Sequence, residues 1–111
     1  MDIIEKREKK FRDYMSKERM MLLKHQYDPF EEYRTEMGEH LEGIYKKYQF
    51  PNGYGASVIC HSGSYGGHQG LWELAVELHG IIVYDTTITA DVLGYLKTEE
   101  VNKNLKAIKE L

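Results

Sequence analysis

The sequence predicts an α+β domain: two N-terminal helices, a three-stranded antiparallel β-meander, and a C-terminal helix packed on one face. Three observations carry this. Residues 1–50 are rich in helix formers with apolar residues at helical spacing. Residues 71–78 alternate between apolar and other side chains in the period-two manner of a strand with one buried face. The last segment opens on acids and closes on lysines, as a helix does. With 111 residues, the chain has room for one modest core, so residues 1–111 read as a single domain.

The first helix is expected over residues 2–25, a stretch free of Gly and Pro. Its apolar positions Ile4, Phe11, Met15 and Leu22 form a narrow seam at heptad-like spacing. A seam of this width covers one partner surface, and packing within the domain or across a homodimer fits it equally. The second helix is expected over residues 28–50. Asp28 suits an N-cap, Pro29 the first helical position, and Glu31 completes a capping-box pattern. The stripe Phe30, Tyr33, Met37, Leu41, Ile44 and Tyr48 steps by three and four residues, and Gly38 and Gly43 stand inside it at a cost. Pro51-Asn52-Gly53 then turns the chain.

Strands are expected at residues 54–61, 71–78 and 81–85, the first as a sheet edge because it holds Gly55, Ala56 and Ser57. His79-Gly80 reads as a two-residue hairpin, which sets Leu78 opposite Ile81 and Glu77 opposite Ile82. A short helical piece is expected at residues 89–95, capped by Thr89. The last helix opens at Thr98-Glu99-Glu100 and buries Val101, Leu105 and Ile108.

Composition bounds the function. The formal charge of −3 gives no net pull toward nucleic acid. No apolar run reaches the roughly 18 residues of a membrane span, and no apolar signal core is visible, so no membrane association is expected. The single Cys60 cannot form an intramolecular disulfide, which fits a reducing cytoplasm. Charge is unevenly spread: residues 1–26 carry eight Lys/Arg against five Asp/Glu, and residues 27–50 carry three against six. Two helices facing each other would suit that asymmetry, as would two solvated helix faces.

The loop Ser62-Gly63-Ser64-Tyr65-Gly66-Gly67-His68-Gln69-Gly70 is longer than a hairpin needs. Loops held on a sheet are where binding concentrates, so Tyr65, Gly66, Gly67, His68 and Gln69 are the candidate contact residues. The loop lacks the Gly-Lys-Ser/Thr ending of a phosphate loop, and a strand follows it instead of a helix. Cys60, His61, His68, Glu73 and His79 do not have the spacing of a metal site, since adjacent strand residues point to opposite faces. Cys60 reads as a small core residue, and Glu73 and Glu77 as solvated carboxylates sharing one strand face. No catalytic residue, metal or cofactor is expected.

Three segments, Tyr54-Gly55-Ala56-Ser57-Val58, Gly70-Leu71-Trp72-Glu73-Leu74-Ala75-Val76 and the stretch from Tyr84 to Leu96, resemble small proteins encoded by bacteriophages and prophages. The resemblance spans about residues 51–111. It implies a phage protein acting in the bacterial host cytoplasm and supplies no catalytic residues. The function expected is therefore stoichiometric binding of a host or bacterial protein, such as inhibition of a defence component, by a homodimer. The different-class alternative is a module that sequesters or hydrolyses a nucleotide-like ligand, with Tyr65, His68 and Glu73 at its pocket.

Overall fold

The computed structural model describes residues 17–111. Helix α1 (Lys17–His25) leads into a single 3-10 turn (Glu31–Tyr33) and strands β1 (Arg34–His40), β2 (Gly43–Gln49) and β3 (Tyr54–Cys60). A second 3-10 turn (Gly67–Gln69) precedes β4 (Trp72–Leu78), β5 (Ile81–Ile82), β6 (Leu93–Leu96) and helix α2 (Thr98–Lys109). Among the described residues the strands form one six-stranded antiparallel sheet in the order β1-β2-β3-β4, with β5 and β6 both pairing with β4.

This corrects the expectation of two N-terminal helices and a three-stranded meander. Residues 34–49 are a β-hairpin, not the second half of a helix. Asp28 caps no helix: its Oδ1 accepts the Phe30 N–H at 2.8 Å, a side-chain turn that opens only the first 3-10 element. Of the expected apolar stripe only Ile44 and Tyr48 lie in β2, where they and Lys46 face the core and the residues between them are less buried; Met37 lies in β1 and Leu41, at the turn, is exposed. Strand β3 is not an edge but lies between β2 and β4. Its small residues have a packing reason, since a Cβ on Gly55 would stand 2.1 Å from the Tyr48 carbonyl oxygen.

The expected helical piece at residues 89–95 is also replaced, in part by β6. If β5 simply continued along β4, Leu74 would meet residue 85; it meets Leu93 instead, eight residues later. The edge strand therefore leaves the sheet after Val83, whose N–H still reaches the Val76 carbonyl at 2.9 Å, and rejoins it at β6. Thr86 and Thr89 organise the excursion, each side-chain oxygen accepting a backbone N–H within the next three residues.

One face of the sheet carries the core. Ile44, Tyr48, Ala56, Val58, Cys60, Trp72, Leu74 and Val76 point to it, and register sets Ile44 beside Cys60 and Val58 beside Leu74. Helix α2 covers β3, β4 and β6 with Val101, Leu105 and Ile108, the stripe expected from sequence. Its opening is fixed by Glu100, whose carboxylate accepts the Lys97 N–H at 3.1 Å. Its other end is held by Asn52, whose amide donates to the carbonyls of Ile108 and Lys109 at 2.9 and 3.0 Å. Helix α1 lies against β2 and buries Leu23. Leu22 of the expected seam is 71% exposed; Ile4, Phe11 and Met15 lie outside the described residues.

Candidate functional site

The glycine-rich loop 62–70 is folded onto the sheet by its own hydrogen bonds. Ser64 Oγ accepts the His61 N–H and donates to the His61 carbonyl, both at 2.9 Å. Gly67 N–H donates to the Ser64 carbonyl at 3.1 Å, and Leu71 N–H to the Gly66 carbonyl at 3.0 Å. This winding carries Gly66 and Gly67 inward and leaves Tyr65 and Gln69 exposed, with His68 between these extremes. Of the five candidate contact residues, two glycines thus shape the loop, while Tyr65, His68 and Gln69 present side chains.

Two outside contacts anchor Tyr65. Its N–H donates to Glu73 Oε1 at 3.0 Å, and its carbonyl accepts the Tyr95 N–H at 3.2 Å. Gly94 permits this approach, because a Cβ there would fall 2.6 Å from the Tyr65 Cβ. Tyr95 is the residue that sequence reasoning missed. It is 56% exposed, and its φ of 56° is a left-handed conformation uncommon for a residue with a side chain. Strain of this kind gathers at functional sites, where the surroundings hold it in place. Tyr65, 60% exposed, therefore stands beside a second exposed tyrosine whose backbone is bonded to its own. No sequence signal marks the pair, since residue 95 reaches residue 65 only through the β4–β6 pairing.

The groups considered for catalysis are otherwise engaged. Cys60 is fully buried, and burial pushes its thiol up to about 11, so it is not a thiolate at neutral pH. Glu73 holds the loop. Glu77 is not the solvated carboxylate expected: it is buried and pairs with Lys47 Nζ at 3.2 Å. Among the described residues no three acidic, histidine or cysteine side chains converge as metal ligands, and no helix is long and apolar enough to cross a membrane.

His61, at the base of the loop, is buried, and its Nδ1 accepts the Gly63 N–H at 3.0 Å. Burial holds its pKa below the ordinary value; the neighbouring His40 adds to this and Glu73 opposes it. An unfolded histidine titrates near 6.5. As pH falls through that value the unfolded chain takes up this proton before the folded one, so stability drops until the folded pKa is passed. Urea unfolding is expected to show a lower midpoint at pH 5.5 than at pH 7.5, with a smaller difference in His61→Gln. An unchanged difference in that variant would assign the effect elsewhere.

A second cluster lies between the helices on the core side. Asp28 Oδ2 accepts the Tyr48 hydroxyl at 2.6 Å and Arg34 Nη1 at 3.1 Å. Burial, followed by the bond to Asp28, pushes the Tyr48 phenol well above its ordinary pKa. Beside them Lys46 is 4% exposed, with its ammonium 5.0 Å from the Trp72 ring centre. Sequence reasoning missed this cluster because a helix over residues 28–50 leaves Lys46 off its apolar stripe, whereas the strand turns it to the core.

Compared with known proteins, the chain matches no family model, and no curated protein or solved structure is significantly similar to it.

Proposed function

We propose that this chain is a non-enzymatic accessory protein that binds another protein stoichiometrically through the folded loop 62–70 and the adjoining β6. The observation that carries this reading is the Tyr65–Tyr95 pair, two exposed aromatic side chains on a platform anchored by backbone hydrogen bonds. Tyrosine is favoured at interfaces because it brings contact area and a polar tip at small entropic cost. An anchored platform also spares the ordering cost that a mobile loop pays on binding. The engaged states of Cys60, Glu73 and Glu77 favour a binding role over a catalytic one. The resemblance to phage-encoded proteins makes the partner a bacterial protein, with inhibition of a host or defence component as the outcome. The exposed Met21 and Leu22 on α1 favour self-association through that helix.

Affinity capture from bacterial lysate is expected to recover one protein in fixed ratio, and Tyr65→Ala/Tyr95→Ala is expected to lose it with an unchanged melting temperature. Equal capture by both proteins would refute the surface. A nucleotide-dependent rise in melting temperature that disappears in His68→Ala would favour the small-ligand alternative.

A further inference from the structure

We propose that the protein segment held on the Tyr65–Tyr95 surface is a basic one, and that it engages through an arginine set between the Tyr65 ring and the Glu73 carboxylate; this rests on the reading of that surface as the contact site and names the chemistry of its partner.

Charge distribution carries the inference. All fifteen lysines and arginines of the chain lie outside residues 48–96, whereas Glu73, Glu77, Asp85 and Asp91 lie inside. The glycine-rich loop, the strand it stands on and the strand it is bonded to therefore all come from a stretch without a lysine or arginine. Lys47 lies just before that stretch and is spent on Glu77, 3.2 Å away. Lys97 lies just after it, at the start of α2. Among the described residues no ion pair reaches Glu73, Asp85 or Asp91. Burial lowers the pKa of the nearby His61, so that ring adds no positive charge at neutral pH. A surface of this sign attracts a cationic segment and repels the phosphates of a nucleic acid.

Glu73 and Tyr65 decide which cation fits. Glu73 Oε1 accepts the Tyr65 N–H at 3.0 Å, and Oε2 has no hydrogen-bond partner among the described residues. The carboxylate is only half-buried, and the Tyr65 side chain beside it is exposed. A guanidinium can bond a carboxylate through its N–H fork while its flat face lies on an aromatic ring, whereas an ammonium has no plane to stack. Arginine is for that reason favoured over lysine here, and it is enriched among residues that dominate interfaces. Apolar contact is available next to the charge. Val83 packs on the core, so Ile82 and Tyr84 on either side of it turn to the opposite face of the sheet, where Ile82 stands beside Glu77. Both are exposed, and helices α1 and α2 bury their apolar residues on the other face.

Binding of a blocked peptide of alternating glycine and arginine to the isotope-labelled full chain, followed by NMR, tests this. The amides of Tyr65, Glu73 and Tyr95 are expected to shift, with weaker binding by the lysine counterpart, none by the glutamate counterpart, and loss of affinity as salt is raised. Glu73→Gln keeps an oxygen for the Tyr65 N–H and removes the charge. It is expected to bind the arginine peptide about tenfold more weakly with an unchanged melting temperature. Glu110→Gln, just past the far end of α2, is expected to bind as wild type does. Three results would each overturn the inference: wild-type affinity in Glu73→Gln, equal binding of the arginine and glutamate peptides, or shifts at the same amides on raising protein concentration alone, which would make a second copy the occupant. The contact reading fails separately. It falls if Tyr65→Ala/Tyr95→Ala keeps its lysate partner, whereas capture lost in that variant and undiminished in Glu73→Gln leaves the surface standing and removes its preference for a cation.

Discussion

Replacing Asp28 with alanine is expected to destabilise the protein by roughly 3–5 kcal/mol, a large share of the 5–15 kcal/mol typical of a domain. Three contacts end at this carboxylate: the Phe30 N–H at 2.8 Å, Arg34 Nη1 at 3.1 Å and the Tyr48 hydroxyl at 2.6 Å. The variant would leave the Tyr48 phenol without its buried acceptor and the partly buried Arg34 guanidinium with only the exposed Glu31 carboxylate, 3.6 Å away. A largely desolvated charge and hydroxyl that lose their main acceptor are the expensive consequence, more than the loss of the attraction itself. The series separates these contributions. Asp28→Asn keeps an acceptor for Phe30 and removes the charge opposite Arg34, so most of the loss should persist. Tyr48→Phe removes one hydroxyl and is expected to cost about 1–2 kcal/mol. Urea unfolding of the three variants checks the order; an Asp28→Ala variant within 1 kcal/mol of wild type would mean that the cluster is not a structural anchor.

Gly67→Ala is expected to cost about 3 kcal/mol and to unseat the loop. A Cβ at this position would fall 1.9 Å from the His61 carbonyl oxygen and 2.6 Å from Ser64 Oγ. Neither can retreat cheaply, because Ser64 Oγ and the His61 backbone are bonded to each other in both directions. Gly63→Ala is the control in the same loop. Its Cβ would meet the His61 ring at 3.4 Å and the Leu41 side chain at 3.7 Å, both ordinary contacts, and a change within about 0.5 kcal/mol is expected. If the loop presents Tyr65 as proposed, Gly67→Ala also weakens partner binding and Gly63→Ala does not. Equal stability of the two variants would mean that the loop is not held as described.

In the second half of the chain β4, its turn and α2 were legible in the sequence, whereas β3 was read as an edge and residues 89–95 as helix. The alternation from Trp72 to Leu78 specified β4, His79-Gly80 specified its turn, and Val101, Leu105 and Ile108 specified the buried face of α2. Residues 28–49 misled for identifiable reasons. Ile44 and Tyr48 are four residues apart, which suits a helix as well as a strand, and Lys46 between them hides the alternation that would decide for a strand. The β1–β2 turn is made by Leu41 and Glu42 at φ 46° and 59°, without the Asn or Gly that announces such a turn. Asp28-Pro29 has the chemistry of a helix start but is spent on one 3-10 turn and a buried ion pair. The loop was visible as a candidate contact, whereas its second tyrosine was not. Tyr95 meets Tyr65 only because the edge strand leaves β4 and returns eight residues later, a non-local event that leaves no local pattern.

The account rests on the anchored tyrosine pair, and the affinity of the captured partner for purified Tyr65→Ala/Tyr95→Ala tests it most directly. Truncating two interface tyrosines is expected to weaken binding by about 100-fold, at about 1.4 kcal/mol for each tenfold, while circular dichroism and melting temperature stay as in wild type. Undiminished affinity in a folded double variant would contradict it.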